Sequence, residues 1–157
     1  MLIRSILVLC SLLMLQSHNA QASAIETLEK ALEDNRGKVV YLDFWASWCS
    51  PCRKSFPWMN SMNTKHSESG FVVISVNIDA EKQFADEFLA EIPANFAVIY
   101  DPEGLTARKL KVRGMPASYL FNREGKLVSR HNGFNEEKKV KFEQEILTLL
   151  KESRASA

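Results

Sequence analysis

The stretch from Phe44 to Cys52, FWASWCSPC, places two cysteines two residues apart, directly after an apolar run. That run, Val39 to Trp45 (VVYLDFW), is β-branched and aromatic on both faces, which is typical of a strand covered on both sides in a parallel sheet. Residues 53–66 then have a helical pattern, and Pro57 within it predicts a kink. We therefore expect the cysteine pair where a buried strand passes into a helix.

Three roles are open to Cys49 and Cys52: a structural disulfide, a metal site, or redox exchange. A two-residue gap closes too small a loop for a disulfide to stabilise the fold strongly. A structural zinc site needs four ligands, but the chain has no second C-x-x-C motif, and His66 and His131 are expected to be isolated, exposed side chains. Backbone N–H groups at a helix N-terminus stabilise a thiolate, and Cys52 lies one turn further on, where it can resolve a mixed disulfide. Position and spacing therefore favour redox exchange, and metal binding is the main alternative.

The first 22 residues differ in pattern from the rest of the chain. Arg4 is followed by the apolar stretch Ile6 to Leu15, and residues 20–22 (AQA) have the A-x-A pattern of a cleavage site. The apolar stretch is shorter than the roughly 20 residues that a membrane-spanning helix requires. Residues 1–22 are therefore predicted to be a secretory signal peptide, with an uncleaved anchor as the alternative, and residues 23–157 are predicted to form one domain.

The composition fits this division. The 157 residues are 46% hydrophobic and carry a formal net charge of +1. This balance is typical of one globular domain and gives no reason to expect nucleic acid or an anionic membrane surface as a partner. An exported chain with one close pair of cysteines outside its signal segment has too few for a scaffold built from disulfides.

Helical and strand patterns alternate along most of the chain and then give way to a hairpin around the turn at residues 123–125. Alternation first and a hairpin last predict an α/β fold with a mixed sheet, parallel in its first half, and with helices on both faces. Further helices are predicted at residues 24–35, 81–91, 104–111 and 135–151, and further strands at residues 71–78, 96–100, 117–122 and 126–131.

These residues resemble the thioredoxin family. The shared features are FWASWCSPC, Asp43 six residues before Cys49, Pro57 five residues after Cys52, and a second motif, RGMP, that ends in Pro116. A strand, a hairpin, Gly133 and a last helix follow that motif, as they do in thioredoxin. The resemblance implies a thioredoxin fold over residues 39–150, in which Pro116 is a cis proline that faces the cysteines.

An additional segment, roughly residues 80–102, separates the chain from thioredoxin itself. Together with the signal peptide, this strand–helix insert resembles the TlpA/ResA-like branch of exported thiol–disulfide oxidoreductases. Many members of that branch have Asn where this chain has Asp43, and an acidic residue where it has Ala80. The lysine that accompanies the buried Asp in thioredoxin is Ser75 here.

The resemblance implies the following roles. Cys49 is the nucleophile, Cys52 is the resolving thiol, and Asp43 carries the proton. The side chains expected to contact the substrate are Trp48, Met115, Pro116 and Gly133. Met115 is expected to line the groove that receives partner peptides, and its uncharged side chain to influence which partners fit.

No metal or other cofactor is expected, because the cysteine pair itself carries the two electrons. The expected partners are disulfide-containing client proteins and a membrane electron donor, with the protein acting as a periplasmic, monomeric reductant, for example in cytochrome c maturation. The alternative is a copper- or haem-handling binding protein that uses the cysteine pair as ligands. A peroxidase of the peroxiredoxin branch is disfavoured, because Ala46 stands where that branch places a threonine.

Overall fold

The structure is a computed structural model that describes residues 23–152 of the chain. The predicted signal peptide, residues 1–22, lies outside the described residues. The strands are β1 (Val39–Trp45), β2 (Phe71–Asn77), β3 (Ala97–Tyr100), β4 (Ala117–Phe121) and β5 (Leu127–Asn132). The helices are α1 (Ala24–Asp34), α2 (Ser50–His66), α3 (Lys82–Glu91), α4 (Leu105–Lys109) and α5 (Glu136–Glu152), with a 3₁₀ turn at Ser67–Ser69. No helix within residues 23–152 is long and apolar enough to cross a bilayer.

The five strands form one mixed sheet in the order β3-β2-β1-β4-β5. The pairs β1–β2 and β2–β3 are parallel, whereas β1–β4 and β4–β5 are antiparallel. The predicted mixed sheet, parallel in its first half and ending in a hairpin, is therefore confirmed. β1 lies in the middle of the sheet, and all seven of its residues are buried, as its apolar pattern indicates.

The two faces of the sheet pack against different helices. Side chains alternate along a strand, so Tyr41 and Trp45 point to one face, whereas Leu42 and Phe44 point to the other. Helices α2, α3 and α5 contribute to the core on the first face, and α1 and α4 to the core on the second. Asp43 is two residues from both Tyr41 and Trp45, so it points to the same face as they do, the face that α2 covers.

The insert at residues 80–102 consists of α3 followed by β3, in that order. β3 extends the sheet at its edge, next to β2. The ring of Phe88 in α3 packs 4.7 Å from the ring of Trp45 and 4.8 Å from that of Phe56, measured between centroids. The insert is thus built into the core directly beneath the first turns of α2.

Two expectations about individual side chains are wrong. His131 was expected to be exposed, but it lies on the buried face of β5, stacked at 4.0 Å on the ring of Phe142. Its neighbours Arg130 and Asn132 are exposed, whereas His131 between them turns toward α5. The apolar character of Val140 predicts that it lies on the buried side of the last helix, yet it is exposed, since Phe142, Ile146 and Leu150 form the buried side of α5.

Candidate active site

The cysteine pair lies where β1 passes into α2, as the sequence predicts. Cys49 and Cys52 form a disulfide, with their Cα atoms 5.3 Å apart. Cys49 is the N-cap of α2, and its Sγ accepts a hydrogen bond from the backbone N–H of Cys52 at 3.2 Å. Pro51 fits this first turn because its missing N–H would have had no partner in the helix. The sulfur of Cys49 is therefore held where a helix N-terminus stabilises a negative charge.

The two cysteines are nearly equally shielded in this oxidised form. Cys49 exposes 3% of its surface and Cys52 0%. The position of Cys49 before the helix predicts an exposed thiol, and this prediction is wrong for the disulfide form. The neighbouring Trp48 is 68% exposed and is the most prominent apolar side chain beside the disulfide.

The loop that precedes Cys49 is fastened by Asp79, a residue that the sequence analysis did not single out. The Asp79 carboxylate accepts hydrogen bonds from the Ser47 backbone N–H at 2.9 Å, from the Ser47 hydroxyl at 2.8 Å and from the Asn77 side-chain amide at 2.7 Å. Ser47 and Asp79 each follow a paired strand end, Trp45 and Asn77, by two residues. That equal offset after two adjacent parallel strands was the signal that could have revealed the contact.

Asp43 is a carboxyl group in the interior of the sheet. It is 1% exposed, and its Oδ2 has no hydrogen-bond partner within residues 23–152. Burial removes water from the carboxylate and raises its pKa well above the ordinary value. Ser75 and Ser118 are its register partners in β2 and β4, so neither neighbouring strand places a basic side chain opposite it. The carboxyl group therefore takes up a proton far more readily than an exposed Asp does.

A row of polar residues crosses the sheet at the level of Asp43. Ser75, Asp43, Ser118 and His131 are consecutive register partners in β2, β1, β4 and β5. Ser75 accepts a hydrogen bond from the Trp45 indole at 3.2 Å.

On the other side of Asp43 in this row, the Tyr41 hydroxyl donates to the Ser118 hydroxyl at 2.7 Å. Burial, and after it the charge of Asp43, raises the pKa of Tyr41. The row thus places hydroxyl groups on both sides of an acid that has no counter-ion among the described residues.

His131 ends this row beneath α5. Its Nε2 lies 2.8 Å from a carboxylate oxygen of Glu145, and since a carboxylate only accepts, Nε2 carries the hydrogen. The buried Nδ1 has no partner within residues 23–152. Burial lowers the pKa of His131, although the Glu145 charge opposes this. The imidazole is therefore neutral at neutral pH.

The second predicted motif directly precedes β4, the antiparallel neighbour of β1. The Met115–Pro116 peptide bond is cis, as the resemblance implies. Met115 is partly buried and packs against both hydrophobic clusters. Gly133 donates its backbone N–H to the Pro116 carbonyl oxygen at 2.7 Å, with a positive φ of 70° that favours glycine. Gly133 therefore braces the proline segment, and its N–H is already occupied.

Metal ligands do not gather in the described part of the chain: residues 23–152 contain no group of three or more His, Cys, Asp or Glu side chains placed to hold a metal ion. The arrangement does contain what a two-electron exchange requires, namely a cysteine pair within bonding distance at a helix N-terminus. An acid with a raised pKa lies in the strand that leads to that helix.

Comparison with known proteins agrees with this geometry. The Redoxin family profile matches residues 22–146. The thiol–disulfide oxidoreductase ResA of Bacillus thuringiensis subsp. konkukian is 30% identical over 118 residues, which are 75% of this chain and 68% of that protein.

Two solved structures are also similar. A crystal structure of a candidate thiol:disulfide interchange protein DsbE from Chlorobium tepidum is 53% identical, with a TM-score of 0.74 over 76% of this chain and 84% of that one. The exposed lipoprotein thioredoxin Etrx1 of Streptococcus pneumoniae is 33% identical, with a TM-score of 0.62 over 77% of this chain and 89% of that one. The chain therefore belongs to the Redoxin family and, within the thioredoxin superfamily, to its TlpA/ResA-like thiol–disulfide oxidoreductases.

Proposed function

We propose that this protein reduces disulfides of client proteins outside the cytoplasm, with the Cys49–Cys52 dithiol as its only redox group and no added cofactor. One observation carries the proposal: Cys49 caps α2, its sulfur accepts a hydrogen bond from the Cys52 backbone N–H, and Cys52 is wholly buried. A thiolate at the cap is the attacking group, and a buried thiol one turn further on is suited to resolve the product.

The reaction balances with two electrons and two protons. The Cys49 thiolate attacks one sulfur of a client disulfide, which forms a mixed disulfide and releases the other client sulfur as a thiolate that takes up a proton. Cys52 then loses its proton and attacks the Cys49 sulfur, so that the mixed disulfide breaks and the second client sulfur leaves and is protonated. The enzyme ends as the Cys49–Cys52 disulfide, and the client has gained two thiols.

Asp43 is proposed to receive the proton that Cys52 loses. It points to the face of the sheet that α2 covers, and burial raises the pKa of its carboxyl group well above the ordinary value. An acid with a pKa closer to the working pH transfers protons in both directions more effectively than an ordinary Asp. Trp48, Met115 and Pro116 are proposed to contact the client chain, and Gly133 to hold the proline segment in place.

The compartment and the partners belong to the same proposal. The signal-peptide pattern at residues 1–22 supports export to the periplasm, and the similar Streptococcus pneumoniae protein is named as an exposed lipoprotein. A reductant in an oxidising compartment requires a source of electrons, so a membrane protein is proposed to reduce the Cys49–Cys52 disulfide again. The protein is proposed to act as a monomer, with clients such as those of cytochrome c maturation.

The experiment is to trap the clients. A Cys52→Ala variant expressed in the native host cannot resolve the mixed disulfide, so it is expected to accumulate client proteins that a reducing agent releases. The Cys49→Ala variant is the matched control and is expected to trap none. Equal capture by both variants would contradict the proposal, and stoichiometric copper binding without any disulfide exchange would support the metal-handling alternative.

A further inference from the structure

A basic cleft lies beside the proline segment. It has a volume of about 250 Å³ and is lined by the three cations Lys111, Arg113 and Arg130, together with the ring of Tyr119 and the end of β5 at Asn132. The three cations are exposed. The lining contains no Asp or Glu. The cleft therefore presents three positive charges to solvent.

These three cations have no ion-pair partner within residues 23–152. Neighbouring basic residues are already engaged: Lys109 pairs with Glu29, and Arg108 donates to the Glu103 carbonyl oxygen at 2.6 Å. Arg130 only stands over the Tyr119 ring, 5.9 Å from its centroid. The cleft therefore gathers three exposed cations with no carboxylate in its lining.

The charges along the chain show the same segregation. Residues 104–133 contain seven Lys or Arg residues and one acidic residue, Glu124, although the whole chain carries a net charge of only +1. The remainder of the molecule is correspondingly acidic. The basic cleft is therefore a local feature and does not follow from the overall charge.

The cleft adjoins the place where a client is proposed to bind. Arg113 precedes Met115 by two residues, and Asn132 precedes Gly133, whose N–H holds the Pro116 carbonyl. Tyr119 and its register partner Arg130 lie on the face of the sheet opposite to the cysteines. A client chain at the proline segment therefore reaches the three cations where it continues past Arg113 onto that face. Clients with carboxylates at that position gain a favourable interaction there, and clients with lysines are repelled.

We propose that Lys111, Arg113 and Arg130 form a binding site for an acidic segment of the client that flanks the disulfide under attack. This inference rests on the proposed function. Because the cations are exposed, each contact contributes modestly, and the main effect is on the rate of association and on the choice of client. Salt screens such contacts over about 10 Å at 0.1 M ionic strength, so the selectivity should be sensitive to salt.

The test uses the reduced protein and three synthetic peptides, each carrying one cysteine coupled to thionitrobenzoate, whose release is followed by absorbance. The peptides differ only in three flanking residues, which are Glu, Gln or Lys. At low ionic strength the Glu peptide is expected to react about five-fold faster than the Gln peptide, and the Lys peptide more slowly than both. The differences should collapse at about 0.5 M salt.

Two variants locate the effect. The double variant Arg113→Glu, Arg130→Glu is expected to abolish or reverse the preference for the Glu peptide. Each rate is divided by the rate of the same protein with uncharged hydroxyethyl disulfide, which corrects for changes in basal reactivity. Lys126→Glu is the matched control, because Lys126 is exposed at the β4–β5 turn, at the opposite end of the hairpin from Gly133. It is expected to keep the preference of the wild-type protein.

The outcomes separate this inference from the proposed function. Equal rates for the three peptides, or a preference that persists in the double variant, would overturn the inference while the reductase activity stands. Failure to react with any of the disulfides would overturn the proposed function, and the inference with it.

Discussion

A single buried carboxyl group has opposite effects on folding and on chemistry in this protein. Asp43 costs stability wherever it is ionised, because it is buried and the opposite residues, Ser75 and Ser118, are neutral. The same burial raises its pKa, which suits proton exchange with a thiol. A lysine opposite Asp43 would lower that pKa again. Because Ser75 stands where that lysine would be, the pKa of Asp43 stays raised, as proton transfer requires.

Replacing Asp43 with Asn is expected to stabilise the oxidised protein at neutral pH, by about 1 kcal/mol or more. The folded carboxyl has a raised pKa, so between the unfolded pKa of about 3.9 and the folded pKa the native state binds more protons. Its stability therefore falls as the pH rises through that window. The advantage of Asp43→Asn should be small below about pH 4 and should grow toward neutrality. Denaturant unfolding of both proteins at several pH values measures this.

The same variant is expected to slow the second chemical step more than the first. Asn cannot accept the Cys52 proton, whereas the attack of Cys49 on the client does not require it. Rapid mixing with a disulfide peptide separates the two steps. A variant that is less stable than the wild type and just as fast would show that Asp43 is a structural residue.

Asp79 is expected to hold the active-site loop in place. Removing its carboxylate in Asp79→Ala leaves the Ser47 N–H and hydroxyl without their partner, and hydrogen bonds to a charged group are worth about 1.5–3 kcal/mol each. Because Ser47 is only partly buried, water replaces part of the lost bonds, and a loss of stability of about 2–3 kcal/mol is expected in denaturant unfolding. Glu81→Ala is the control: Glu81 is exposed and its side chain does not cap α3. Equal stability of the two variants would contradict the assignment.

At the scale of elements, the first turn of α2 distinguishes the two cysteines. Cys49 caps the helix and accepts the Cys52 N–H, whereas Cys52 lies within the helix and is wholly buried. In the reduced protein, alkylation at about pH 6 is expected to modify Cys49 first and Cys52 only slowly, because the thiolate is the reacting form. Peptide mapping after brief labelling measures the ratio. Equal labelling would refute the assignment of Cys49 as the nucleophile.

Helix α3 is expected to support α2 through Phe88. Its ring contacts those of Trp45 and Phe56, and it is 2% exposed, so Phe88→Ala should leave a cavity and cost about 3–5 kcal/mol of stability. Phe84→Ala is the matched control on the same helix, because Phe84 is 46% exposed and should cost less than about 0.5 kcal/mol. Similar losses in both variants would mean that the insert is only loosely attached.

The elements themselves could be predicted from the sequence, because their patterns are strong. β1 was placed at Val39–Trp45 from its unbroken apolar run, and the structure confirms both ends. α2 begins at Ser50 and not at residue 53, because Cys49 supplies the cap and Pro51 fits the first turn. Such boundaries depend on a few hydrogen bonds, and an apolar pattern does not report them.

At the scale of the whole molecule, the candidate site was only partly predictable. The C-x-x-C motif indicated the redox pair, and the resemblance indicated Asp43 and Pro116. Asp79 and His131 were missed because their roles depend on which strands become neighbours. Asp79 acts across β1 and β2, and His131 completes a row through β4 and β5. Which residues of distant strands become partners depends on the whole sheet, so a local sequence pattern does not show it.

The direction of electron flow depends on how strongly the whole site stabilises the Cys49 thiolate. The two residues between the cysteines, Ser50 and Pro51, are uncharged. Arg53 is directed to α3, where it pairs with Glu91 and stands over the Phe88 ring at 5.0 Å. The helix terminus is then the main source of positive potential at the sulfur. A moderately stabilised thiolate favours the disulfide form and hence a reducing protein.

The reduction potential is therefore expected at about −200 to −270 mV, between the values of glutaredoxins and thioredoxin. Equilibration with glutathione buffers, read by the fluorescence of Trp45 and Trp48 beside the pair, measures it. Pro51→His is the matched variant: a cation between the cysteines would stabilise the thiolate and should make the potential less negative by tens of millivolts. A wild-type value near about −120 mV, the range of a strong oxidant, would reverse the direction and make this protein a source of disulfides.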